Sequence, residues 1–399
     1  MTDWSPDAAP RTGPSNLMNT YPPAPVTFVS GHGSWLVDDA GNDYLDLLCG
    51  LAVTSLGHAH PAVAEALSEQ ATRLVHVSNL FGNEHNEALA GTLDRLVGGG
   101  GEVFFTNSGA EANEAAIKLA RRFGGRGRHV VVSAFGSFHG RTLATLHATG
   151  QPAKHEAFQP LPEGFRHAIW QDAADLEHKL DDTVAAVLLE PVQGEGGVNP
   201  ASAEYLREAR ALCDDRGILL MFDEVQTGLG RCGAWFAHQR AGVRPDVVTM
   251  AKALGNGVPI GACWARKDVS VFEPGDHGTT YGGQPLAAAA ARAVLSVMEA
   301  ENVPERAERA GKLFAEAFES VPGVAGTRGA GLLIAVELDL PAGRVAADVA
   351  AELLDGTHGT RAVVNAITPT ALRLAPSLLI SDEEIHQAVE VITAAVGAR

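Results

Sequence analysis

An α/β fold built on a mostly parallel sheet is predicted by three observations. Between residues 103 and 264, short apolar runs alternate with helical stretches, the pattern of strands joined by crossover helices. Two of those runs, 218–222 and 247–250, are apolar without alternation, as expected of strands covered on both faces. Each ends on polar chemistry: Asp223 and Glu224 after the first, Lys252 just past the second. In open α/β sheets ligands bind beyond the carboxyl ends of the strands. Asp223 and Lys252, 29 residues apart, are therefore expected at one site.

The bulk properties fit such a fold. The 399 residues are 46% hydrophobic and 20% charged, which suits two or three domains of ~100–200 residues and not a disordered chain. A formal net charge of −18 argues against nucleic-acid backbones and anionic membranes, which need a basic face. Cys49, Cys213, Cys232 and Cys263 show no C-x-x-C spacing, and the histidines no H-E-x-x-H, so neither a disulfide framework nor a metal is expected. The N-terminus carries Asp3 and Asp7 and no apolar h-region. No uninterrupted apolar run approaches the ~20 residues of a membrane helix. The expectation is a soluble cytoplasmic protein with no nucleic-acid or membrane partner.

In chain order, residues 1–20 are polar and are expected to form a loose arm, and 21–25 holds too much proline for a helix or central strand. Apolar residues at 26–29 and 34–37, set off by Gly31, Gly33 and the Gly41-Asn42 turn, predict a small antiparallel meander. Helices are predicted over 61–74, with Pro61 in the first turn, and over 89–96. The four glycines 98–101 are not followed by G-K-[ST], so they read as a flexible linker rather than a phosphate loop. A strand at 103–106 then meets Asn107-Ser108-Gly109-Ala110, which opens a helix to about Arg122. First-turn N–H groups and the positive helix end could hold a phosphate there, with Gly109 and Ala110 allowing close approach and Ser108 adding a hydroxyl. Ser108 with Glu111 also has the form of a capping box, and both readings can hold together.

Further strands are predicted at 129–132 and 184–189, and 203–215 is the helix that returns the chain to the run at 218. Between them, Phe138 could stack on an aromatic ligand and Arg141 could hold a carboxylate, although taken alone a core phenylalanine and a surface arginine are the commoner reading. Glu190-Pro191 leads into a glycine-rich loop, 192–197, with a second acid, Glu195. Past Lys252, 258–265 reads as a strand, 277–283 as a loop with hydroxyls at Thr279 and Thr280, and 285–300 as a long helix out of the major domain. Strands at 332–338, 362–367 and 372–375 follow, the last carrying Arg373. Ser381 and Glu384 form a capping box for the final helix.

A buried lysine sheds hydration, and its amine becomes a nucleophile for a carbonyl. Pyridoxal 5'-phosphate (PLP) offers such a carbonyl, and a carboxylate beside its pyridine nitrogen keeps the ring electron-withdrawing. Asp223 with Lys252 has the form of a PLP site. Taken singly, an acid capping a loop and a lysine solvating a strand end are the commoner reading.

Five motifs in register decide between these readings: Phe105-Thr106-Asn107-Ser108-Gly109-Ala110-Glu111-Ala112-Asn113, Phe138-His139-Gly140-Arg141-Thr142, Glu190-Pro191-Val192-Gln193-Gly194-Glu195, Asp223-Glu224-Val225-Gln226-Thr227-Gly228 and Ala251-Lys252-Ala253-Leu254. In this order they resemble the class III (subgroup II) aminotransferases of PLP fold type I, over nearly the whole chain from about Tyr21. Ser78-Asn79-Leu80 and Thr249-Met250-Ala251-Lys252 are similar to the N-acetylornithine branch of that family. Asn256 and Gln284 depart from the family pattern, which puts only loop detail in doubt.

The resemblance implies a seven-stranded, mostly parallel sheet flanked by helices in a large PLP-binding domain over 51–285, with a smaller α+β domain from both termini. Residues 1–50 would supply the arm and part of the small domain, and 286–399 the rest. It implies that Lys252 carries the cofactor and later shuttles the proton, and that Asp223 pairs with the pyridine nitrogen, supported by Glu190. Gln226 would sit near the ring hydroxyl, Phe138 on the ring face, and Ser108, Gly109 and Ala110 on the phosphate. Thr280 would reach the phosphate of a neighbouring subunit, making a homodimer with shared active sites. Arg373 would bind the α-carboxylate and Arg141 a further one, while Ser78 and Asn79 would lie on the substrate side. Glu195 would act as a gate, pairing with Arg373 when an ω-amine enters and leaving it for 2-oxoglutarate.

The implied reaction moves the ω-amine of N2-acetylornithine to 2-oxoglutarate, giving N-acetylglutamate 5-semialdehyde and glutamate, a step of arginine biosynthesis. Ornithine, 4-aminobutyrate and succinyldiaminopimelate aminotransferases share these residues, and an acyl group offers little for a pocket to reject. A non-catalytic PLP-fold binding protein is opposed by the intact Lys252 and Asp223. A nucleotide-binding protein would need a G-x-G-x-x-G or G-K-[ST] loop after a strand, and none stands at the right place.

Overall fold

The computed structural model describes residues 16–397, so the part of the expected arm over 1–15 lies outside the described residues. Residues 16–25 are exposed and carry neither helix nor strand. The central layer is a seven-stranded sheet in the order Gly101–Thr106, Gly261–Arg266, Val247–Met250, Leu219–Asp223, Val184–Leu189, Val130–Ala134, Phe165–Ala168. Gly261–Arg266 runs antiparallel to both neighbours, and the other pairs are parallel.

Cover on both faces explains the unbroken apolar runs. All of Val184–Leu189 and all of Leu219–Asp223 are buried. Leu219 and Met221 pack with Ala115, Ala116 and Leu119 of the helix Gly109–Gly124. Leu220 and Phe222 pack with Leu206, Ala209 and Cys213 of the helix Ala203–Arg216 on the other side. Alternate side chains thus enter opposite layers, each fully buried leucine contributing about 1.5–3 kcal/mol. The parallel strands aim their carboxyl ends at one edge, where the loops bearing Phe138, Glu190, Val225 and Lys252 begin.

Two predicted features of this domain are corrected. The strand expected over 258–265 begins at Gly261. Pro259 has no N–H for a ladder, and 258–260 lines a cavity instead. The glycines 98–101 are a tight turn, not a flexible linker. Gly98, Gly99 and Gly100 have positive φ, and Asp94 accepts from the N–H groups of Gly100 and Gly101 at 3.3 and 2.7 Å. A Cβ on Gly101 would lie 2.3 Å from the Trp264 ring, so the backbone there must be bare.

The N-terminal meander forms as expected, from Phe28–His32, Trp35–Asp38 and Asp43–Asp46, and gains a parallel fourth strand, Arg361–Val363, from far along the chain. A second four-stranded sheet, antiparallel throughout, has the order Val324–Ala330, Leu333–Leu338, Ala371–Leu374, Asn365–Thr368. The single strand expected over 362–367 is therefore two strands in different sheets. Val363 pairs with Asp46 and Asn365 with Arg373, so the chain changes sheets at Val364. Extended residues on both sides of the change hide it from a reading of apolar pattern.

The final helix, Asp382–Gly397, has the predicted capping box: the Glu384 N–H donates to Ser381 Oγ (3.1 Å) and the Ser381 N–H to Glu384 (2.9 Å). Gln284, one of the two departures from the family pattern, caps the helix Pro285–Ala300 by accepting from the Leu286 N–H at 3.1 Å. Asn256, the other, takes a left-handed φ of 47°. Its amide accepts from the Leu56 N–H (2.8 Å) and donates to the Gly57 carbonyl (3.1 Å).

Candidate active site

Lys252 follows the buried strand Val247–Met250 through an extended Ala251 and adopts a left-handed φ of 41°. A non-glycine residue held there stores roughly 1–3 kcal/mol, and such strain collects where function needs a side chain aimed. Lys252 lines a cavity of about 400 Å³. Burial pushes its ammonium down to about 8, with the Arg373 guanidinium adding and Glu195, Asp223 and Glu190 opposing.

Asp223 closes the neighbouring strand and is 5% exposed. Its Oδ2 accepts from Asn113 Nδ2 (2.7 Å) and His139 Nδ1 (2.9 Å), and Oδ1 accepts from the Val225 N–H (3.0 Å). Asn113 is itself locked: its Oδ1 accepts from the Thr249 hydroxyl (2.7 Å), and its Nδ2 also donates to the His139 carbonyl (2.8 Å). These bonds hold the carboxylate in one orientation. Glu190, on the next strand end, receives the Phe138 N–H at 3.1 Å. Burial, and then the Asp223 charge, hold its carboxyl well above the ordinary range.

Glu224 has a separate task. Fully buried, it accepts from the Thr227 hydroxyl (2.5 Å), the N–H groups of Ala237 (2.9 Å) and His238 (2.8 Å), and the His238 ring (2.9 Å). These bonds clamp the loop that carries Val225 and Gln226.

The helix Gly109–Gly124 opens onto the cavity. Ser108 caps it, its Oγ accepting from the Glu111 N–H at 3.2 Å. Glu111 returns the contact to the Asn107 N–H at 2.7 Å. The first-turn N–H groups of Gly109 and Ala110 have no carbonyl four residues back within the helix, and both residues line the cavity. A Cβ at Gly109 would meet Val225 at 2.7 Å, so only glycine lets the turn sit this close to the cavity wall.

Arg373 stands in the strand Ala371–Leu374 with its side chain 1% exposed. Its Nη1 donates to Glu195 Oε1 at 2.5 Å, and Nη2 donates to Asn365 Oδ1 at 2.8 Å. Burial alone would raise Glu195, but the guanidinium outweighs it and holds the carboxyl below its ordinary value. Val53 lines the same cavity just after a left-handed turn, Cys49–Ala52, whose φ values run from 51° to 71°. Asp46 secures that turn by accepting from the Leu48 and Cys49 N–H groups at 3.0 and 2.8 Å.

Of the predicted residues, Ser108, Gly109, Ala110 and Phe138 line the cavity together with Asp223, Gln226 and Lys252. Arg141 and Glu195 line it too, the Arg141 guanidinium lying 5.6 Å from the Phe138 ring centre. Arg373 joins through Glu195 and Gln226. Ser78, Asn79 and Thr280 are not brought to this cavity within one chain. They form a separate surface, where Asn79 Nδ2 donates to the carbonyls of Thr279 (3.2 Å) and Gly282 (3.0 Å). Asn113, His139, Thr249 and Val225 were given no role by sequence. Asn113 had a usable signal, since it follows Gly109 and Ala110 at the spacing of one helix face.

PLP makes demands that the cavity meets. A capped helix start with a bare glycine suits its phosphate, a carboxylate fixed by three hydrogen bonds its pyridine nitrogen, and an amine brought down to about 8 its aldehyde. Gln226 Nε2, buried on the cavity wall, adds a donor there.

A family model for class-III aminotransferases matches residues 18–396. An acetylornithine aminotransferase of Corynebacterium efficiens is 48% identical over 393 residues, covering 96% of this chain and 95% of that protein. A solved ornithine aminotransferase from Toxoplasma gondii, described with partial PLP occupancy at its active site, matches with a TM-score of 0.89 and 35% identity, over 96% of this chain and 92% of that one. N-acetylornithine aminotransferase from Stenotrophomonas maltophilia matches with a TM-score of 0.78 and 36% identity, over 94% of this chain and 96% of its own.

Proposed function

The chain belongs to the class-III aminotransferases, and from that premise we propose that it moves the ω-amine of N2-acetylornithine to 2-oxoglutarate, yielding N-acetylglutamate 5-semialdehyde and glutamate. One observation carries the reading: a single cavity presents the Lys252 amine and the Asp223 carboxylate beside an arginine, Arg373, covered by Glu195. The cofactor is PLP, held by Lys252, Asp223, Phe138, Gln226 and the turn at Ser108, Gly109 and Ala110. When bound it supplies an aldehyde carbon that exchanges oxygen for the substrate nitrogen and a ring that stores the electron pair left by proton removal.

The chain's own groups do the rest. Asp223 would pair with the ring nitrogen, and Glu190 beside it has its carboxyl held well above the ordinary range by burial and by the Asp223 charge. Lys252 Nζ would serve as the proton shuttle at the substrate carbon that bears the reacting nitrogen. An amine near pH 8 is matched to that role. The ω-carbon of N2-acetylornithine carries no carboxylate, so Glu195 stays on Arg373 and the substrate's own carboxylate goes to Arg141. For 2-oxoglutarate, Glu195 leaves, the α-carboxylate takes Arg373, and the second carboxylate takes Arg141.

The same reading includes a homodimer whose Thr280 reaches the neighbouring subunit's phosphate site, with Ser78 and Asn79 facing substrate. Support comes from the apolar side chains around them, Leu80, Phe81 and Tyr281, which are 86%, 70% and 61% exposed. It also includes a large domain over 51–285 and a small one from 1–50 and 286–399, supported by the pairing of Arg361–Val363 with Asp43–Asp46. A cytoplasmic location agrees with four buried, unpaired cysteines, and the relative's name supports a place in arginine biosynthesis.

Ornithine is the second reading, favoured by the 0.89 TM-score. Superposition reports the fold, whereas the 48% identity samples pocket residues as well, and it favours the acetylated substrate. The deciding experiment mixes PLP-loaded enzyme, without oxo acid, with N2-acetylornithine, ornithine, 4-aminobutyrate or succinyldiaminopimelate. Fastest loss of the cofactor's visible band with N2-acetylornithine is the expected result. Faster loss with another amine moves the substrate assignment to that amine, and no loss with any of them defeats the aminotransferase reading of the site.

A further inference from the structure

Arg373 and Asn365 are directly paired residues of neighbouring antiparallel strands. Such pairs present their side chains on one face of the sheet. The two short-range partners of the guanidinium differ in kind, and Nη1 also makes longer contacts to the Gly194 carbonyl (3.4 Å) and Gln226 Oε1 (3.5 Å). Glu195 is charged, 33% exposed, and sits in the glycine-rich loop after Gly194. Asn365 is neutral and belongs to a strand. A buried guanidinium that loses every partner is costly. When Glu195 leaves, Nη1 loses its one short bond, and the 2.8 Å bond from Nη2 to Asn365 is the short bond that remains.

We propose that Asn365 is the positioning residue that keeps Arg373 open to a substrate carboxylate. Its amide oxygen fixes the plane of the guanidinium in both positions of Glu195 and leaves the positive charge unspent. The strand beside Arg373 therefore sets the dual specificity of the site together with Glu195. A carboxylate at 365 would form a permanent ion pair and compete with every α-carboxylate, while an ω-amine would meet the same neutralised arginine as before. The inference rests on Arg373 binding the α-carboxylate of the oxo acid.

The test compares PLP-loaded wild type with N365D, N365A and R373K. N365D is expected to raise the KM for 2-oxoglutarate about tenfold or more, with the N2-acetylornithine half-reaction held within about threefold. Calorimetric binding of glutarate, a non-reacting dicarboxylate, weakens in step. N365A, which removes one neutral hydrogen bond, raises the same KM by a smaller factor and leaves kcat nearly unaltered. Equal loss in both half-reactions, no change in either, or N365A as damaging as N365D each overturns the proposal. If R373K leaves the 2-oxoglutarate KM and glutarate binding untouched, the reading of Arg373 falls. If R373K changes them and N365D does not, the Asn365 proposal alone falls.

Discussion

Lys252 owes its chemistry to burial. The neutral amine becomes its main form above about 8 rather than above the ordinary 10.5. Capture of PLP by cofactor-free protein is accordingly expected to speed up from pH 6.5 to 8 and level off beyond, followed by growth of the visible band. A rate still climbing toward pH 10 would show an amine that is not desolvated. Lys252→Ala abolishes the band altogether. Glu195→Ala frees Arg373, so the ratio of half-reaction rates should shift about tenfold or more from N2-acetylornithine toward glutamate, and an unchanged ratio removes the gate. Asp223 and Lys252 were readable in the sequence because each ends a buried strand. The frame behind them was not: Asn113 reaches Asp223 across 110 positions and Thr249 across 136. Such pairs leave no local pattern. Asn365 was equally hidden, because its role depends on which strand lies opposite Arg373.

At the scale of elements, local chemistry was a sound guide wherever the signal was a cap or a period. The helix start at Ser108 and the box at Ser381 and Glu384 are where the sequence put them. The split of 362–367 and the turn at 98–100 were not visible, because both depend on partners outside the segment. The edge strand Phe165–Ala168 carries its own prediction. Burial pushes His167 from 6.5 down to about 4, against the opposing bond to the His147 carbonyl and with His155, His147 and His139 adding. The unfolded chain therefore binds a proton below pH 6.5 that the folded chain refuses until about 4, and stability falls across that window. By pH 5 this amounts to about 1–2 kcal/mol. His167→Gln should flatten that part of the fall in thermal midpoint between pH 7 and pH 5, and an equally steep fall would place the acid sensitivity elsewhere.

For the whole molecule, Arg231 ties segments together that lie far apart in the chain. Buried and without a carboxylate partner among its hydrogen bonds, it donates to the carbonyls of Leu332 (3.1 Å) and Pro376 (2.6 Å) and to the Ser55 hydroxyl (3.1 Å). This holds the residues flanking the strands Leu333–Leu338 and Ala371–Leu374, and the segment just after Val53, to the loop of Gln226. The surface of Leu80, Phe81 and Tyr281 belongs to the same scale, since three large side chains this exposed in one area mark an interaction site. Sedimentation is expected to show a dimer. Phe81→Asp should shift it toward monomer and, on the proposed reach of Thr280 to the neighbouring phosphate site, weaken PLP binding. A monomeric variant with unchanged PLP affinity would remove Thr280 from the phosphate site.

The sequence by itself determined the α/β class, the strand-end positions of Asp223 and Lys252, the helix start at Ser108 and, through its motifs, the family. Those features are written in short segments whose period, caps and end residues act locally. Tertiary structure alone decided how Asp223 is held, which residue stands opposite Arg373, where the chain changes sheets near Val364, and that Ser78, Asn79 and Thr280 lie away from the cavity of their own chain. Each of these depends on strand register, on strand order or on contacts between segments far apart in the chain, and none is encoded in the spacing of neighbouring residues.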